Sequence, residues 1–404
     1  MPHSSHHGQL PHSRLPQDQP PRRTEDHPVY VIGGGPGGLA VARELRGRGV
    51  RAVVLERAES VGGSWRRHYD RLRLHTSRRA SSLPGLPIPR RFGRWVGRDD
   101  MVRYLEKYAE HHELEVVTSV EVSRIERTED GEGWLLHASG GRRLTGSAVV
   151  VAAGYSHTPH LPDWAGSESY TGELLHAAHY RDPRPYRDRD VLVVGAGNTG
   201  ADIAVDLAEG GAAQVRLAVR GAPYLVRRSV LGVPVHRAGI VLRRLPAPLV
   251  RWLTRVGVRV AVQDLTAYGL PRPDAGISAR APLGTLPVLG TGLVRAVRKR
   301  KVVPVAAVEA FEGDKVLLAD GSRLAPEVVI AATGYRPGLQ PLVGHLDVLD
   351  ERGLPRVRGA RSPRHAPGLF FTGYTNPISG MLRELALDAR KIAKKIAKQA
   401  ARHR

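Results

Sequence analysis

The sequence predicts an α/β protein built on doubly wound parallel sheets, and three observations support this class. Short apolar strands alternate with helix-like segments from Val29 onward. Two strand–turn–helix runs, at residues 29–56 and 191–220, carry glycines at the same spacing. The run SAVVVAAGY at residues 147–155 is largely apolar, as expected for a strand buried on both faces.

The elements of the first part of the chain follow from local pattern. The helix over residues 99–114 is predicted by apolar side chains at three- and four-residue spacing, namely Met101, Tyr104, Leu105 and Tyr108. In order, we predict a strand at 29–32, a helix to about residue 48, a strand at 52–55, the helix at 99–114, an antiparallel element at 115–126 and 133–139, and the strand at 147–155.

The second part of the chain is regular at its ends and irregular in the middle. Residues 191–220 predict a second strand–turn–helix–strand unit, 327–335 a strand that closes the sheet, and 382–404 a final helix. The stretch from 222 to about 300 is rich in Pro, Arg and Leu. Within it, residues 246–265 read as an amphipathic helix pair over the active site or on a membrane surface, or as ordinary packing, which is favoured.

Composition excludes several classes of protein. The chain has 404 residues, a net charge of +22 and no cysteine. The absence of cysteine excludes disulfides, thiolate zinc sites and thiol–disulfide chemistry. The positive charge indicates anionic partners or a genome that favours arginine codons. Because the arginines are scattered and no DNA or RNA motif accompanies them, we do not expect nucleic acid binding.

The N-terminal stretch reads as a tail. Residues 1–27 are rich in Pro, His and Arg and lack the apolar core of a signal peptide, so we expect a disordered tail. Its histidines could chelate a metal, but a solvated tail is favoured and no metal is expected. No run approaches the ~20 apolar residues that a membrane helix requires. We therefore expect a cytoplasmic protein without stable membrane insertion.

The first glycine turn has the spacing of a dinucleotide site. Gly33, Gly35 and Gly38 occupy the G-x-G-x-x-G positions, which serve the tight turn, the approach of a pyrophosphate and helix–strand packing respectively. The helix N-terminus supplies N–H groups to the pyrophosphate. Glu56 ends the second strand, where a carboxylate accepts ribose hydroxyls. This Rossmann-like unit is predicted to bind a dinucleotide with an unphosphorylated ribose.

The second turn differs at the position that reads the ribose. It uses Gly195, Gly197 and Gly200, but the following strand ends at Arg220 rather than at an acid. A guanidinium pairs with a 2′-phosphate, whereas a carboxylate would repel it, so this position predicts NADPH. The alternative is that Arg220 has no such role and is one more arginine in an arginine-rich chain. With NADPH at the second turn, FAD is the natural occupant of the first.

These assignments predict two Rossmann-like domains, one inserted in the other. The FAD-binding domain comprises residues 28–162 and 327–404, and the NADPH-binding domain comprises residues 163–326. Because no cysteine pair can accept the electrons, oxygen, a quinone or another acceptor remains.

A set of further motifs carries a family resemblance over roughly residues 28–397. The run YTGELLHAAHY presents Tyr170, Gly172, His176 and Tyr180 in the pattern F-x-G-x-x-x-H-x-x-x-Y/F, with Tyr170 in place of Phe. The chain thereby resembles the class B flavin-dependent monooxygenases: flavin-containing monooxygenases, the plant YUCCA enzymes and Baeyer–Villiger relatives. The supporting motifs are GGSW (62–65), YDRLRLHTS (69–77), GAGNTGADIA, ATGYRP (332–337), GLFFTGY with GMLRELALDA, and the YUCCA-like YGLPRP (268–273) and LPVLGTG (286–292).

The resemblance implies site residues beyond the two turns. At the FAD it implies contacts from Pro36, Gly37, Arg57, Gly63, Ser64, Trp65, Val120, Gly154, Gly373 and Leu382. At the NADPH it implies Asn198, Thr199, His176 and Tyr335, with His176 near the domain linker rather than acting as a proton-transfer group. Thr76 and His75 are candidates at the flavin edge. Thr76 departs from the asparagine that flavin-containing monooxygenases often carry there.

The resemblance also implies a reaction. NADPH reduces FAD, oxygen adds at the flavin C4a, and the hydroperoxide oxygenates a small organic substrate at nitrogen, sulfur or a carbonyl, including a 2-oxo acid as in the YUCCA branch. The partners expected are this substrate and O2, with a homodimer as the expected assembly. Two alternatives stay open: an NADPH:acceptor flavin oxidoreductase without oxygen insertion, and a basic protein that binds nucleic acid or an acidic membrane.

Overall fold

The computed structural model describes residues 27–221, 223, 225–226, 229–230, 233–234, 264–270, 288–289, 292–375, 377 and 379–402. The first elements are β1 (Val29–Ile32), α1 (Pro36–Arg46), β2 (Ala52–Leu55), α2 (Gly63–Arg66), α3 (Arg78–Ser81), α4 (Arg98–His111), β3 (Glu115–Val117), β4 (Val122–Arg127), β5 (Trp134–Ala138), β6 (Arg142–Gly146), β7 (Ala148–Val151), β8 (Thr158–Pro159) and β9 (Glu173–His176).

The later elements complete the chain. They are β10 (Asp190–Val194), α5 (Asn198–Gly210), β11 (Gln214–Ala218), β12 (Leu225–Val226), β13 (Ser229–Val230), β14 (Val233–Pro234), β15 (Val288–Leu289), α6 (Leu293–Arg298), β16 (Val303–Val305), β17 (Val308–Glu312), β18 (Lys315–Leu318), β19 (Arg323–Leu324), β20 (Val328–Ala331), β21 (Tyr335–Arg336), α7 (Gln340–Val343), β22 (Leu369–Phe371) and α8 (Met381–Ala400).

Two five-stranded sheets form the framework, and every strand pair within them is parallel. The first has the order β22-β7-β1-β2-β3 and the second β16-β11-β10-β20-β9. The strand that leads into the first glycine turn, β1, lies between β7 and β2, and the strand that leads into the second, β10, lies between β20 and β11. The predicted α/β class with doubly wound parallel sheets is confirmed.

The second unit repeats the first almost element for element. In the first unit an antiparallel meander, β4-β5-β6, connects β3 to β7. In the second unit the meander β17-β18-β19 connects β16 to β20 in the same way. The antiparallel element predicted at 115–126 and 133–139 is confirmed for β4 and β5, but its first residues form β3, which pairs in parallel with β2. The second meander was not predicted. The duplication therefore extends well beyond the glycine turns.

The strand predicted at residues 327–335 lies elsewhere than expected. The predicted FAD-binding domain includes this strand, but β20 pairs with β10 and β9 in the second sheet. It ends at Ala331, and the short β21 pairs with β8 to form an antiparallel ribbon. The two chain segments that cross between the sheets meet in this ribbon. An apolar strand of a parallel sheet carries no mark of which sheet it joins. The domain limits themselves stay a prediction.

The final helix covers one face of the first sheet. In α8 the buried positions recur at helical spacing, which matches the predicted amphipathic pattern: Leu382, Leu385, Ala389, Ile392, Ala393 and Ile396. These side chains pack with α1, α4 and the inner faces of β1 and β22 in one apolar cluster. The helix thus places its N-terminal turn next to the first glycine turn.

Several predicted features lie outside the described residues. These are the tail at 1–26, most of the 246–265 segment, and parts of the YGLPRP and LPVLGTG motifs. Within the described part of the chain, no helix combines the length and the apolar character needed to cross a membrane.

Candidate dinucleotide-binding sites

Packing inside the protein requires glycine at the first and third glycine positions of the first turn, Gly33 and Gly38. Gly33 donates its N–H to the carbonyl of Leu55 at 2.8 Å and has a φ of +109°. A Cβ at Gly33 would lie 2.6 Å from the carbonyl oxygen of Ala152, and one at Gly38 would lie 1.9 Å from that of Gly33. No side chain fits at either position, because both distances are far below van der Waals contact.

The middle glycine has the opposite surroundings. A Cβ built at Gly35 meets no atom within 4 Å. Gly35 is the N-cap of α1, whose first N–H groups have no partner within the helix, and Pro36 follows at the first helical position. The side of the turn that faces the positive end of the helix is therefore open. A pyrophosphate fits this space, because a helix N-terminus favours an anion.

The second turn reproduces this geometry. Gly195 donates to the carbonyl of Ala218 at 2.9 Å and has a φ of +106°. A Cβ at Gly195 would lie 2.7 Å from the Ala332 oxygen, one at Gly200 would lie 1.9 Å from the Gly195 oxygen, and one at Gly197 would meet nothing within 4 Å. The two turns thus share both their internal constraints and their open side.

Glu56 is held at the end of β2 by the backbone. Its carboxylate is buried, and its two oxygens accept the N–H groups of Gly34 at 2.6 Å and Ala58 at 2.8 Å. An ionised carboxylate offers about four lone-pair sites, so acceptor capacity remains for ribose hydroxyls. The predicted residue is therefore in the predicted position, with its orientation set by the first turn.

Arg220 is not the counterpart of Glu56, which corrects the sequence-based alignment of the two units. Leu55 lies opposite Ile32, and Ala218 lies opposite Val194, so Val219 occupies the position of Glu56. The backbone agrees, since Glu56 and Val219 both donate their N–H to the neighbouring strand.

Arg220 lies one residue farther along and is exposed. It makes no hydrogen bond or ion pair with any described residue. At the second site a buried apolar side chain, Val219, thus replaces the acid, and a guanidinium stands just outside it.

The flavin-edge candidate Thr76 packs against the start of α8. Its Oγ1 lies 2.7 Å from the Ser81 hydroxyl oxygen, and a Cβ at Gly380 would lie 2.7 Å from its methyl carbon. The same helix reaches the first turn, because Leu385 approaches within 3.0 Å of a Cβ built at Gly37 and within 3.3 Å of one at Gly373. Thr76 and the first glycine turn are thus both in contact with the start of α8, more than 300 residues away in the chain.

The structure adds one residue that sequence reasoning missed. The Thr372 hydroxyl is buried and has no hydrogen-bond partner among the described residues, and the methyl carbon of the same side chain lies 3.7 Å from a Cβ built at Gly37. Thr372 follows β22 at the carboxyl edge of the sheet, which is the edge that carries the first turn. A buried hydroxyl without a partner is costly, so this oxygen fits contact with a bound polar group. The signal was a threonine directly after the apolar run LFF.

The remaining residues implied by the resemblance surround the two turns. Val120 donates its N–H to the Glu56 carbonyl at 3.0 Å, and Arg57 donates to Nε2 of His157 at 2.9 Å. The others are Gly63, which is buried; Ser64, exposed; Trp65, partly buried against the core; His75, half-buried; Gly154, with open space around it; and Asn198 and Thr199, in the first turn of α5.

His176 holds the ribbon between the sheets. Its Nδ1 accepts the Ala178 N–H at 3.0 Å, so its Nε2 carries the proton and donates to the Gly334 carbonyl at 3.0 Å. The Tyr335 ring meets it edge-on at 5.1 Å between centroids. Burial lowers the pKa of His176, which keeps the ring neutral. Both its nitrogens are satisfied, so this geometry supports positioning; its part at the NADPH stays a prediction.

The motif YDRLRLHTS ties the first unit to α5 through polar contacts. The Tyr69 hydroxyl donates to the buried Asp202 carboxylate at 3.0 Å, and the Tyr180 hydroxyl donates to Asp206 at 2.9 Å. Arg71 lies 3.5 Å from Asp206. Burial raises the pKa of Asp206 although Tyr180 and Arg71 oppose the shift. Sequence reasoning missed these two acids, whose only signal was their i,i+4 spacing on α5.

Two dinucleotide turns, one beside a carboxylate and one beside a guanidinium, define an oxidoreductase that works with two nucleotide cofactors. The family model for pyridine nucleotide-disulphide oxidoreductases matches residues 30–234. The chain has no cysteine, so it holds no dithiol of its own to reduce.

Comparison with known proteins narrows the class. The chain is 31% identical to indole-3-pyruvate monooxygenase YUCCA1 of Oryza sativa subsp. japonica, over 91% of each chain. It is 31% identical to probable indole-3-pyruvate monooxygenase YUCCA7 of Arabidopsis thaliana, over 91% of this chain and 86% of that one. A flavin-containing monooxygenase from Stenotrophomonas maltophilia matches with a TM-score of 0.69 and 26% identity, over 93% of this chain and 98% of that one.

The chain belongs to the class B flavin-dependent monooxygenase family, as the motifs predicted. It is therefore a flavin-dependent oxidoreductase that acts on a small molecule. FAD and NADPH are the cofactors typical of this family.

One histidine beside the candidate flavin edge has an unusual environment. His68 packs edge-on against Trp65, with ring centroids 6.1 Å apart. Burial and the nearby guanidiniums of Arg181, Arg67 and Arg98 lower the pKa of His68 to about 4. The folded protein thus disfavours a proton that the unfolded chain accepts near pH 6.5.

We expect this histidine to make stability depend on pH. Because its folded pKa is depressed, its contribution is present above pH 6.5 and is lost as the pH falls from about 6.5 towards about 4. The melting temperature of the variant His68→Gln should therefore fall less between pH 7 and pH 5 than that of the parent. Thermal unfolding at the two pH values measures this, with His111→Gln, at an exposed position, as control. Equal losses in His68→Gln and parent would contradict the assignment.

Proposed function

We propose that this chain is an NADPH-dependent FAD monooxygenase, with FAD at the turn of β1 and NADPH at the turn of β10. The observation that carries the proposal is the pair of matched turns, each closed by two obligatory glycines and open at the third. They differ at the position that reads the ribose, with Glu56 at one and Val219 followed by Arg220 at the other.

At the first site the chain would hold the cofactor through its backbone. The N–H groups at the start of α1 face the open side of Gly35 and would bind the pyrophosphate. Glu56, already fixed by Gly34 and Ala58, would accept the ribose hydroxyls. The buried hydroxyl of Thr372 would find in the cofactor the partner it lacks.

At the second site the chain would select the phosphorylated nucleotide. The N–H groups at the start of α5 would bind the pyrophosphate beside Gly197. Val219 presents no charge to a 2′-phosphate, and the exposed Arg220 guanidinium would pair with it. His176 and Tyr335 would set the ribbon that carries the chain from this site back to the first.

The chemistry itself would come from the bound flavin, which accepts hydride from the nicotinamide and activates oxygen. The protein contributes orientation and exclusion of water. Thr76 lies between α3 and the N-terminal turn of α8, and Leu382 and Leu385 close that side with apolar surface. These residues would shield the flavin edge, because a dry site protects a reactive group from water.

For the substrate we propose a small organic molecule oxygenated at a carbonyl, nitrogen or sulfur. The two plant relatives are named for indole-3-pyruvate, so an aromatic 2-oxo acid is the first compound to test. The proposal also includes a cytoplasmic location and a homodimeric assembly.

The test follows the reoxidation of the reduced enzyme. Protein reduced by NADPH and mixed with oxygenated buffer should show a transient absorbance distinct from both reduced and oxidised flavin. With substrate present, one NADPH and one O2 should be consumed for each molecule of product formed. Direct return to the oxidised spectrum, with electrons passing efficiently to a quinone, would instead favour an NADPH:acceptor oxidoreductase.

The middle glycines provide a reciprocal pair of variants. We expect Gly35→Val to fold but to purify without flavin, because the added side chain fills the open space at the first turn. Gly197→Val should keep its flavin and lose reduction by NADPH, because the same change falls at the second turn. Flavin absorbance and anaerobic reduction rates measure the two effects. If both variants kept normal flavin content and reduction, the assignment of the turns would be wrong.

Arg220 provides a test of cofactor choice. A charge-assisted contact of ~1.5–3 kcal/mol corresponds to a preference for NADPH over NADH of about ten- to a hundredfold. We expect Arg220→Ala to remove most of this preference, measured as the ratio of kcat/KM for the two nucleotides. The control is Arg187→Ala, at another exposed arginine. An unchanged ratio in Arg220→Ala would exclude Arg220 from the site.

A further inference from the structure

A groove separate from both glycine turns lies between residues 79–87 and one face of α8. Its volume is about 550 Å³, within the range of about 300–1,000 Å³ that is usual for small-molecule sites. None of the residues that line it belongs to either turn. The groove is therefore distinct from the two candidate dinucleotide sites.

The wall formed by α8 has an apolar middle and one cationic end that is open to a ligand. Arg383 and Arg390 line the groove seven residues apart on one face, which places them about 10 Å apart along the axis at 1.5 Å rise per residue. Arg383 already pairs with Glu384 at 2.7 Å, so the open cationic end is that of Arg390. Ala386 and Leu387 line the stretch between them. This wall matches an elongated molecule that is apolar along its length and anionic at one end.

The opposite wall is rigid and mostly apolar. It presents Leu86 and Pro87, and Arg79 at its start, while Leu83 lies behind them in the core. Two buried tyrosines of α4 fix its backbone. The Tyr104 hydroxyl accepts the Leu83 N–H and donates to the Leu86 carbonyl, both at 2.7 Å, and the Tyr108 hydroxyl donates to the Pro84 carbonyl at 2.7 Å. The groove is thus held in shape without a ligand.

The charges around the groove are not balanced. Arg390 lies 3.8 Å from Glu44, but this carboxylate already pairs at 2.7 Å with both Arg43 and Arg48. The Arg390 side chain is 60% exposed, so its guanidinium is available to a ligand. Arg79 is exposed and makes no hydrogen bond or ion pair with any described residue. With Arg383 paired to Glu384, the guanidiniums of Arg79 and Arg390 remain in excess over the carboxylates at this surface.

We infer that this groove binds a medium-chain fatty carboxylate. The hydrocarbon chain lies over Leu86, Ala386 and Leu387, and the carboxylate pairs with the guanidinium of Arg79 or Arg390. A neutral hydrocarbon chain would form no ion pair with the guanidiniums, and a nucleotide would make few contacts with the apolar walls. This inference does not depend on the proposed reaction, because no residue of the groove belongs to the two turns.

Binding of sodium decanoate to the purified full-length protein tests the inference. Titration calorimetry below the micelle concentration should give saturable binding of one decanoate per chain, with 1-decanol and decyltrimethylammonium binding at least tenfold more weakly. Arg79→Gln, which breaks no described contact, should weaken decanoate binding severalfold, and Arg79→Gln with Arg390→Gln about tenfold or more. Lys391→Gln with Lys394→Gln, at exposed positions of the same helix, is the control and should bind as the parent does.

A variant that keeps every charge tests the apolar part. Ala386→Trp fills the groove from α8, and it should abolish decanoate binding while thermal unfolding and flavin content stay as in the parent. The inference is overturned if decanoate does not saturate, if decanol binds equally well, or if the arginine variants bind like the lysine control. Because the readout is binding, failure of the monooxygenase proposal would leave this result unaffected.

Discussion

The site depends first on a steric constraint: the backbone of each glycine turn approaches another carbonyl so closely that no side chain fits. A Cβ at Gly38 or Gly200 would lie 1.9 Å from a carbonyl oxygen of its own turn. This contact brings the N-terminus of each helix directly against the end of the strand before it. The helix N–H groups, which have no partners of their own, therefore all face one open space. Packing inside the turn thus creates an anion site in front of it.

A second constraint comes from the two segments of chain that cross between the sheets. The β8–β21 ribbon joins those segments, and neutral His176 fastens the end of β9 to it through Gly334. On another side, Tyr69 reaches α5 and donates to buried Asp202. Buried polar groups with satisfied hydrogen bonds define one geometry more sharply than apolar packing does. These contacts hold the ribbon and α5 in place relative to the first unit.

The two sites share a geometry and differ in charge. In the first, Glu56 is buried and held by two backbone N–H groups. In the second, the equivalent residue is Val219, and the exposed Arg220 comes after it. A change of one side chain at one strand end is enough to alter which ribose a Rossmann-like unit accepts. A duplicated framework can in this way present two different nucleotides to one reaction.

The sequence by itself determined the α/β class, the two glycine turns, the buried strands and helices beside them, and the family, because these depend on local spacing and composition. The tertiary structure decided which sheet receives β20 and that Val219 rather than Arg220 aligns with Glu56. It also decided that the polar side chains of Thr372 and Asp202 are buried. Strand pairing, register and burial join residues far apart in the chain, and no local pattern records them. An apolar strand is equally suited to either sheet until its neighbours are known.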